Sequence, residues 1–364
     1  MDNNQNFDYK IFDSLIDSNI RFSIYRFPGQ KDINLILQNT PDPERLHDFS
    51  GLDGKSGFVI APFRITSETP IEIIRPDVLL KGEKTIFKYF ADFVVESPVS
   101  QTNIQSQSHL DSLEKYKSKF EIFHSAIDEE KFQKLVLSRT ADYKKESDFS
   151  AGESFRRACS KYPYNFIFLC YTPCTGTWMG ISPELLVSEE NGTSKTVALA
   201  GTKDLNTEKW DDKNRHEQQI VVDYMRQQLS GAGYKFKESD PFTVQSGNIN
   251  HLKTEFSFNL TDRNKIGDLL ELLHPSPAVC GFPKEDAFDF IGKQEGYDRR
   301  YYSGFVGPLN IQNNSGLYVN LRCMQIGDDI LRLYAGGGLL SSSDMLSEWK
   351  ETENKLQTIL AVIN

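Results

Sequence analysis

The stretch Leu317–Tyr334 limits the possible folds more than any other. Two runs of alternating apolar residues, Leu317–Gln325 and Ile330–Tyr334, are joined across Gly327-Asp328-Asp329. A short Gly/Asp connection between such runs predicts a β-hairpin, and a hairpin commits its strands to antiparallel pairing. Asn165–Tyr171 (NFIFLCY) is too apolar to be anything but buried, and Phe132–Arg139 reads as a further strand. Leu110 to about Asp128, Arg215–Leu229 and Asp344–Ile363 carry helical spacing. Nearer the N-terminus, Phe22–Phe27, Ile33–Leu37, Phe58–Phe63 and Ile71–Ile74 are short strand-like runs separated by Gly, Pro and Asp. Long helices mixed with hairpin-linked strands predict an α+β fold with a largely antiparallel sheet.

The 364 residues suffice for a large core without disulfides or metal staples. Residues 1–96 read as a strand-rich part, 97–112 (SPVSQTNIQSQSHLDS) as a surface loop, and 113–364 as the better-defined core of one unit. A net charge of −10 argues against a nucleic-acid partner. The N-terminus is polar, and no apolar run approaches the roughly 20 residues a membrane helix needs. Five widely spaced cysteines without a C-x-x-C pair suggest neither a zinc site nor a disulfide framework. The expectation is a soluble, cytoplasmic protein.

Four constellations could carry chemistry. Glu348 and Glu351 are three apart on one helix, and Glu217 lies in register with Val221 and Tyr224 on another. Carboxylates from two such helices make either an oxygen-rich Mg²⁺ site or two solvated faces. Arg322 falls mid-strand, opposite Leu317, Val319, Leu321 and Cys323, where it either forks onto a carboxylate or lies on an exposed sheet face. Gly336-Gly337-Gly338 follows a strand, as Gly201-Thr202 does, and permits either a close backbone approach to an anion or a tight turn. No phosphate-loop or dinucleotide fingerprint is present. Lys134, inside a strand, is either an edge residue or, if buried, a base of lowered pKa. Glu184, between Ser182-Pro183 and Leu185-Leu186, sits in an apolar setting that would raise a carboxyl pKa. Base and acid would suit general acid–base work.

In order along the chain come Lys134-Leu-Val-Leu-Ser-Arg139, Gly180-Ile-Ser-Pro-Glu-Leu-Leu186, Leu199-Ala-Gly-Thr202 and Arg215-His-Glu217. Then follow His274-Pro-Ser-Pro-Ala-Val-Cys-Gly281, Asp298-Arg-Arg-Tyr-Tyr-Ser-Gly304, Arg322, Tyr334-Ala-Gly-Gly-Gly338 and Glu348-Trp-Lys-Glu351. This set closely resembles the chorismate-utilising enzymes: isochorismate synthase, salicylate synthase, anthranilate synthase component I and aminodeoxychorismate synthase. The resemblance is strong over roughly residues 113–364; the first hundred residues match only in being strand-rich.

The resemblance implies two large packed antiparallel sheets flanked by helices. It implies that Glu217 and Glu351 ligate Mg²⁺, with Glu348 in support, and that the metal holds the ring carboxylate of chorismate. Arg322 and Tyr302, with backbone N–H groups of a Gly336–Gly338 turn, would hold the side-chain carboxylate. Gly201 and Thr202 would also bind substrate, and His274 would lie near the C4 hydroxyl. Similar enzymes that use ammonia place Gln where Lys134 stands, and aminodeoxychorismate synthases carry Lys at the position of Ala200. Water is therefore the expected nucleophile. Salicylate synthases typically carry Thr at the position of Ala278, so the resemblance favours isochorismate synthase, with menaquinone and siderophore pathways both open. Salicylate synthase, anthranilate synthase component I and a silent chorismate-binding relative remain the alternatives. A monomer acting without an amidotransferase subunit is implied. Two departures stand out: Asn214 where relatives often carry an acid, and Arg300 where a glycine is common.

Overall fold

The computed structural model describes residues 7–40, 44–91, 112–247, 249–260 and 265–363. Residues 97–111 of the expected surface loop lie outside that set. Ser112 caps the helix Leu113–Asp128, its hydroxyl accepting from the Lys115 N–H.

Among the described residues two antiparallel sheets form the body. The first has nine strands, in the order Gly281–Phe282, Lys134–Lys144, Ile330–Leu339, Cys323–Ile326, Gly176–Ser182, Phe166–Thr172, Arg21–Arg26, Asn34–Gln38 and Val78–Lys81. The second has ten and runs from Phe236–Glu238 through Ile249–Phe258, Thr193–Asp204, Leu185–Glu190, Ser315–Val319, Phe305–Leu309 and Gly57–Ala61 to its far edge. The strand-rich N-terminal part is not a separate body, because its strands form the outer three strands of both sheets.

Side-chain alternation explains the layering. In Phe166–Thr172, Phe166, Phe168 and Cys170 point between the sheets, while Ile167, Leu169 and Tyr171 point toward helices Ile11–Asp17, Ala151–Lys161 and Met345–Ile363. Both faces are covered, which is why the segment has no polar phase. Helices Asp212–Gly231 and Ile266–Leu273 cover the outer face of the second sheet through Val221, Met225, Leu269 and Leu270. The layer between the sheets is aromatic. Phe166 of one sheet stacks on Tyr318 of the other at 4.2 Å and 2°, a contact worth about 0.5–1.5 kcal/mol beyond burial.

The run Leu317–Gln325 is not one strand. It divides into Ser315–Val319, in the second sheet, and Cys323–Ile326, in the first. The crossover Asn320-Leu321-Arg322 is pinned to the turn before Phe305: Asn320 N donates to Gly304 O at 2.8 Å, and Asn320 Nδ2 to Tyr301 O at 2.9 Å. Arg322 itself has φ +48°, off the strand. Beyond the crossover, the hairpin of Cys323–Ile326 with Ile330–Leu339 forms as the Gly/Asp connection requires.

Candidate active site

A cavity opens between the sheets, where the Ile330–Leu339 strand passes the second sheet. Its lining includes Glu184, Gly201, Thr202, Glu217, Tyr302, Arg322 and Gly336–Gly338.

The three glycines are not a turn. They lie within the strand, opposite Ser138, Leu137 and Val136 of Lys134–Lys144, and none has positive φ. Space, not backbone freedom, requires them. A Cβ on Gly336 would stand 2.8 Å from the Tyr302 hydroxyl. On Gly337 it would stand 3.0 Å from Glu348 Oε2, and on Gly338 2.2 Å from Glu217 Oε1 and 2.7 Å from Lys134 Cε. The bare strand is the floor on which the carboxylates and the lysine converge.

Each of those glutamates faces a lysine. Glu217 Oε1 is 2.9 Å from Lys134 Nζ. Glu348 Oε1 accepts from Lys213 and, at 2.8 Å, from Ser343 Oγ. Glu351 Oε1 accepts from Lys355 at 2.5 Å. Burial and the Glu351 charge raise the Glu348 carboxyl. Burial acts upward on Glu351 too, but the Lys355 and Lys213 charges outweigh it and hold that carboxyl low. Among the described residues no three acids, histidines or cysteines stand in a ligating cluster. The donor set nonetheless suits a hard divalent cation. Glu348 Oε2 is buried without a hydrogen-bond partner, and it faces the space that a Cβ on Gly337 would fill.

Lys134 opens a strand in the interior of the first sheet and is fully buried, not an edge residue. Its Nζ meets Glu217 at ion-pair distance but lacks an aligned hydrogen-bond acceptor. Glu184 follows the strand Gly176–Ser182. Its backbone N–H donates to Ser182 Oγ, and its carbonyl accepts from Val319 N at 3.0 Å, which fixes the residue where the two sheets meet. Burial pushes its carboxyl up to about 8, against the nearby charges of Lys134, Lys355 and Arg322.

Arg322 is buried, and burial lowers its guanidinium to about 10. Tyr302 stacks on Tyr334 at 5.2 Å with its hydroxyl toward Gly336. The Thr202 N–H already donates to Asn214 Oδ1 at 2.7 Å, while Asn214 Nδ2 donates to Asp211 Oδ1 at 2.8 Å. An acid at 214 could accept from Thr202 but would oppose Asp211, so the amide here serves the loop. Arg300 keeps a left-handed turn, φ +51°, that a glycine would adopt more cheaply.

His274 does not line this cavity. Its ring packs edge-on against Phe49 and Phe305, its Nε2 lies 3.3 Å from Phe63 O, and it borders a separate groove with Lys284 and Phe288. Two lining residues are absent from the sequence reading. Lys355 is four residues beyond Glu351, a spacing that signals an ion pair. His251 leaves no local signal, since a histidine in a strand carries no sign of what it faces.

The family described as chorismate binding enzyme matches residues 56–364. Isochorismate synthase EntC of Escherichia coli strain K12 is 30% identical over 241 residues, 63% of this chain and 62% of that protein. Isochorismate synthase MenF of the same strain is 31% identical over 257 residues, 66% of this chain and 58% of that protein. The chain thus spans less than two thirds of the length of these relatives. The structure of MenF, the menaquinone-specific isochorismate synthase of Escherichia coli, superposes with a TM-score of 0.78 at 22% identity, covering 99% of this chain and 92% of that one. Anthranilate synthase component I of Streptococcus pneumoniae superposes with a TM-score of 0.66 at 16% identity, covering 93% and 89%. The same two-sheet fold therefore occurs in proteins named for different reactions.

Proposed function

This chain belongs to the chorismate binding enzyme family, and we propose that it is an isochorismate synthase, reversibly converting chorismate to isochorismate in the cytoplasm as a monomer. The observation that carries the reading is Glu184, a buried carboxyl with a pKa near 8 that shares one cavity wall with Arg322 and feels the Lys134 charge. At neutral pH such a group holds a proton it can give. The similarity to EntC and MenF supports the same assignment.

In this reading Arg322 and Tyr302 hold the side-chain carboxylate and fix the ring over the glycine strand. Lys134, as the neutral amine, takes a proton from water as its oxygen bonds to C2. The ring double bonds shift, the C4–oxygen bond breaks, and Glu184 protonates the departing hydroxyl, so the atoms balance as an isomerisation. The reverse reaction exchanges the two roles. Ala200, beside Gly201 in the cavity lining, offers no nucleophile of its own. Glu217 and Glu351, with Glu348 in support, would hold Mg²⁺, which when bound neutralises and orients the ring carboxylate. Pairing with Lys134 and holding the metal are alternative demands on Glu217.

Chorismate with Mg²⁺ and the purified protein should give isochorismate by chromatography, with little pyruvate in a coupled lactate dehydrogenase assay and no turnover in excess chelator. Stoichiometric salicylate and pyruvate would move the chain to the salicylate synthases; no turnover at all would leave a silent binder.

A further inference from the structure

Arg322 is a buried cation with no carboxylate at ion-pair distance among the described residues. Its Nη1 makes only a long 3.5 Å contact to Thr358 Oγ1. The short contact is Nη2 to His251 Nε2, 3.1 Å. The other ring nitrogen, Nδ1, is 2.9 Å from Gly201 O.

These partners dictate the histidine's state. A carbonyl only accepts, so Nδ1 carries the hydrogen; a guanidinium only donates, so Nε2 presents its lone pair. The ring is neutral and single in tautomer, and burial together with the Arg322 and Lys355 charges lowers its pKa to about 3, which keeps it so. Gly201, φ +74°, is the irregular point where Thr193–Asp204 slips register against Ile249–Phe258, between Ala200 opposite Leu252 and Lys203 opposite Asn250. The histidine therefore ties a carbonyl of the cavity wall to the guanidinium beside it.

We propose that His251 is the positioning residue for Arg322: a neutral, δ-protonated relay that aims the guanidinium at the substrate's side-chain carboxylate. This rests on the reading that Arg322 holds that carboxylate. A buried guanidinium with no acid at ion-pair distance keeps its attraction for an incoming anion, and a neutral acceptor orients it without cancelling its charge. Loss of His251 is then a loss of binding, not of proton transfer.

Three variants separate aim from packing. In His251→Gln the amide oxygen extends as far as Nε2 and can accept from Arg322. In His251→Asn the amide reaches only as far as Nδ1 and can satisfy Gly201 alone. His251→Phe fills the space and satisfies neither. With chorismate and Mg²⁺, Gln should keep KM within about threefold of the parent, while Asn and Phe raise it about 10- to 100-fold with kcat little changed. Asn rescuing KM as well as Gln, or kcat falling at unchanged KM, would overturn the proposal; the Gln/Asn comparison decides even if Phe fails to fold. Should the parent protein not turn over chorismate, the proposed function fails, and ¹⁵N spectra of ring-labelled histidine still test the relay. A neutral ring protonated at Nδ1 from pH 5 to 8 supports it; protonation at Nε2, or a charged ring at pH 6, refutes it.

Discussion

Replacing Glu184 by Gln tests the acid assignment through stability as well as rate. The folded-state pKa of Glu184 lies near 8, above its ordinary 4.5, because burial disfavours the carboxylate. The native state therefore binds this proton more tightly than the unfolded chain does. Stability is lost as pH rises from about 4.5 and stops falling once pH passes about 8, at a slope of about 1.4 kcal/mol per pH unit. Gln mimics the neutral acid and cannot ionise. The stability of Glu184→Gln relative to the parent should thus rise by about 2–3 kcal/mol between pH 6 and pH 9. Urea unfolding of both proteins at the two pH values measures it, and the difference cancels the titrating groups that do not interact with Glu184. The same substitution should lower kcat about 10²–10⁴-fold, and the parent's kcat should fall as pH rises through about 8. Parallel stability profiles would mean that Glu184 is already ionised in the fold at neutral pH. The donor of the mechanism would then have to be another group.

Three further outcomes follow from the cavity. Gly337→Ala places a methyl 3.0 Å from Glu348 Oε2 and should weaken Mg²⁺ binding by about tenfold or more with the fold intact; calorimetric titration checks it, and unchanged affinity would contradict the metal placement. Added ammonium should yield no anthranilate on chromatography, because Lys134 and Ala200 suit water. Ala278 and Val279 both line the cavity, and Ala278→Thr should raise pyruvate release in the lactate dehydrogenase assay by pressing the substrate side chain over the ring.

The α+β class and the antiparallel pairing were legible because they rest on local signals. The Gly/Asp connection before Ile330 and the unbroken apolar run Asn165–Tyr171 each demand one kind of neighbour. The crossover at Asn320–Arg322 was not legible, for a physical reason. Alternation reports that successive side chains point to opposite faces, and Leu317, Val319 and Cys323 keep that phase across the break. Nothing in the phase says that Val319 belongs to one sheet and Cys323 to the other. The pairing of Val319 with Phe305 and of Cys323 with Gly180 says so, and the hydrogen bonds of Asn320 to the 301–304 turn hold the crossover.

The site divides along the same line. Glu217, Glu348 and Glu351 were readable as residues on helix faces, because helical spacing fixes which side chains share a face. What they face was not readable. The glycine run is the instructive case: a strand and a turn predict the same three residues, and the pairing with Ser138, Leu137 and Val136 separates the two, while the distances from absent Cβ atoms to Glu217, Glu348 and Tyr302 say why they are glycines. The same limit hid His251, whose partners lie 50 residues upstream and 71 downstream. A buried polar residue is specified by its partners, and partners that distant leave no pattern in the segment that carries it. For that reason the reading of His251 stands on its two hydrogen bonds, and the Gln and Asn variants, which restore one bond each, are the perturbations that can tell a relay from a filler.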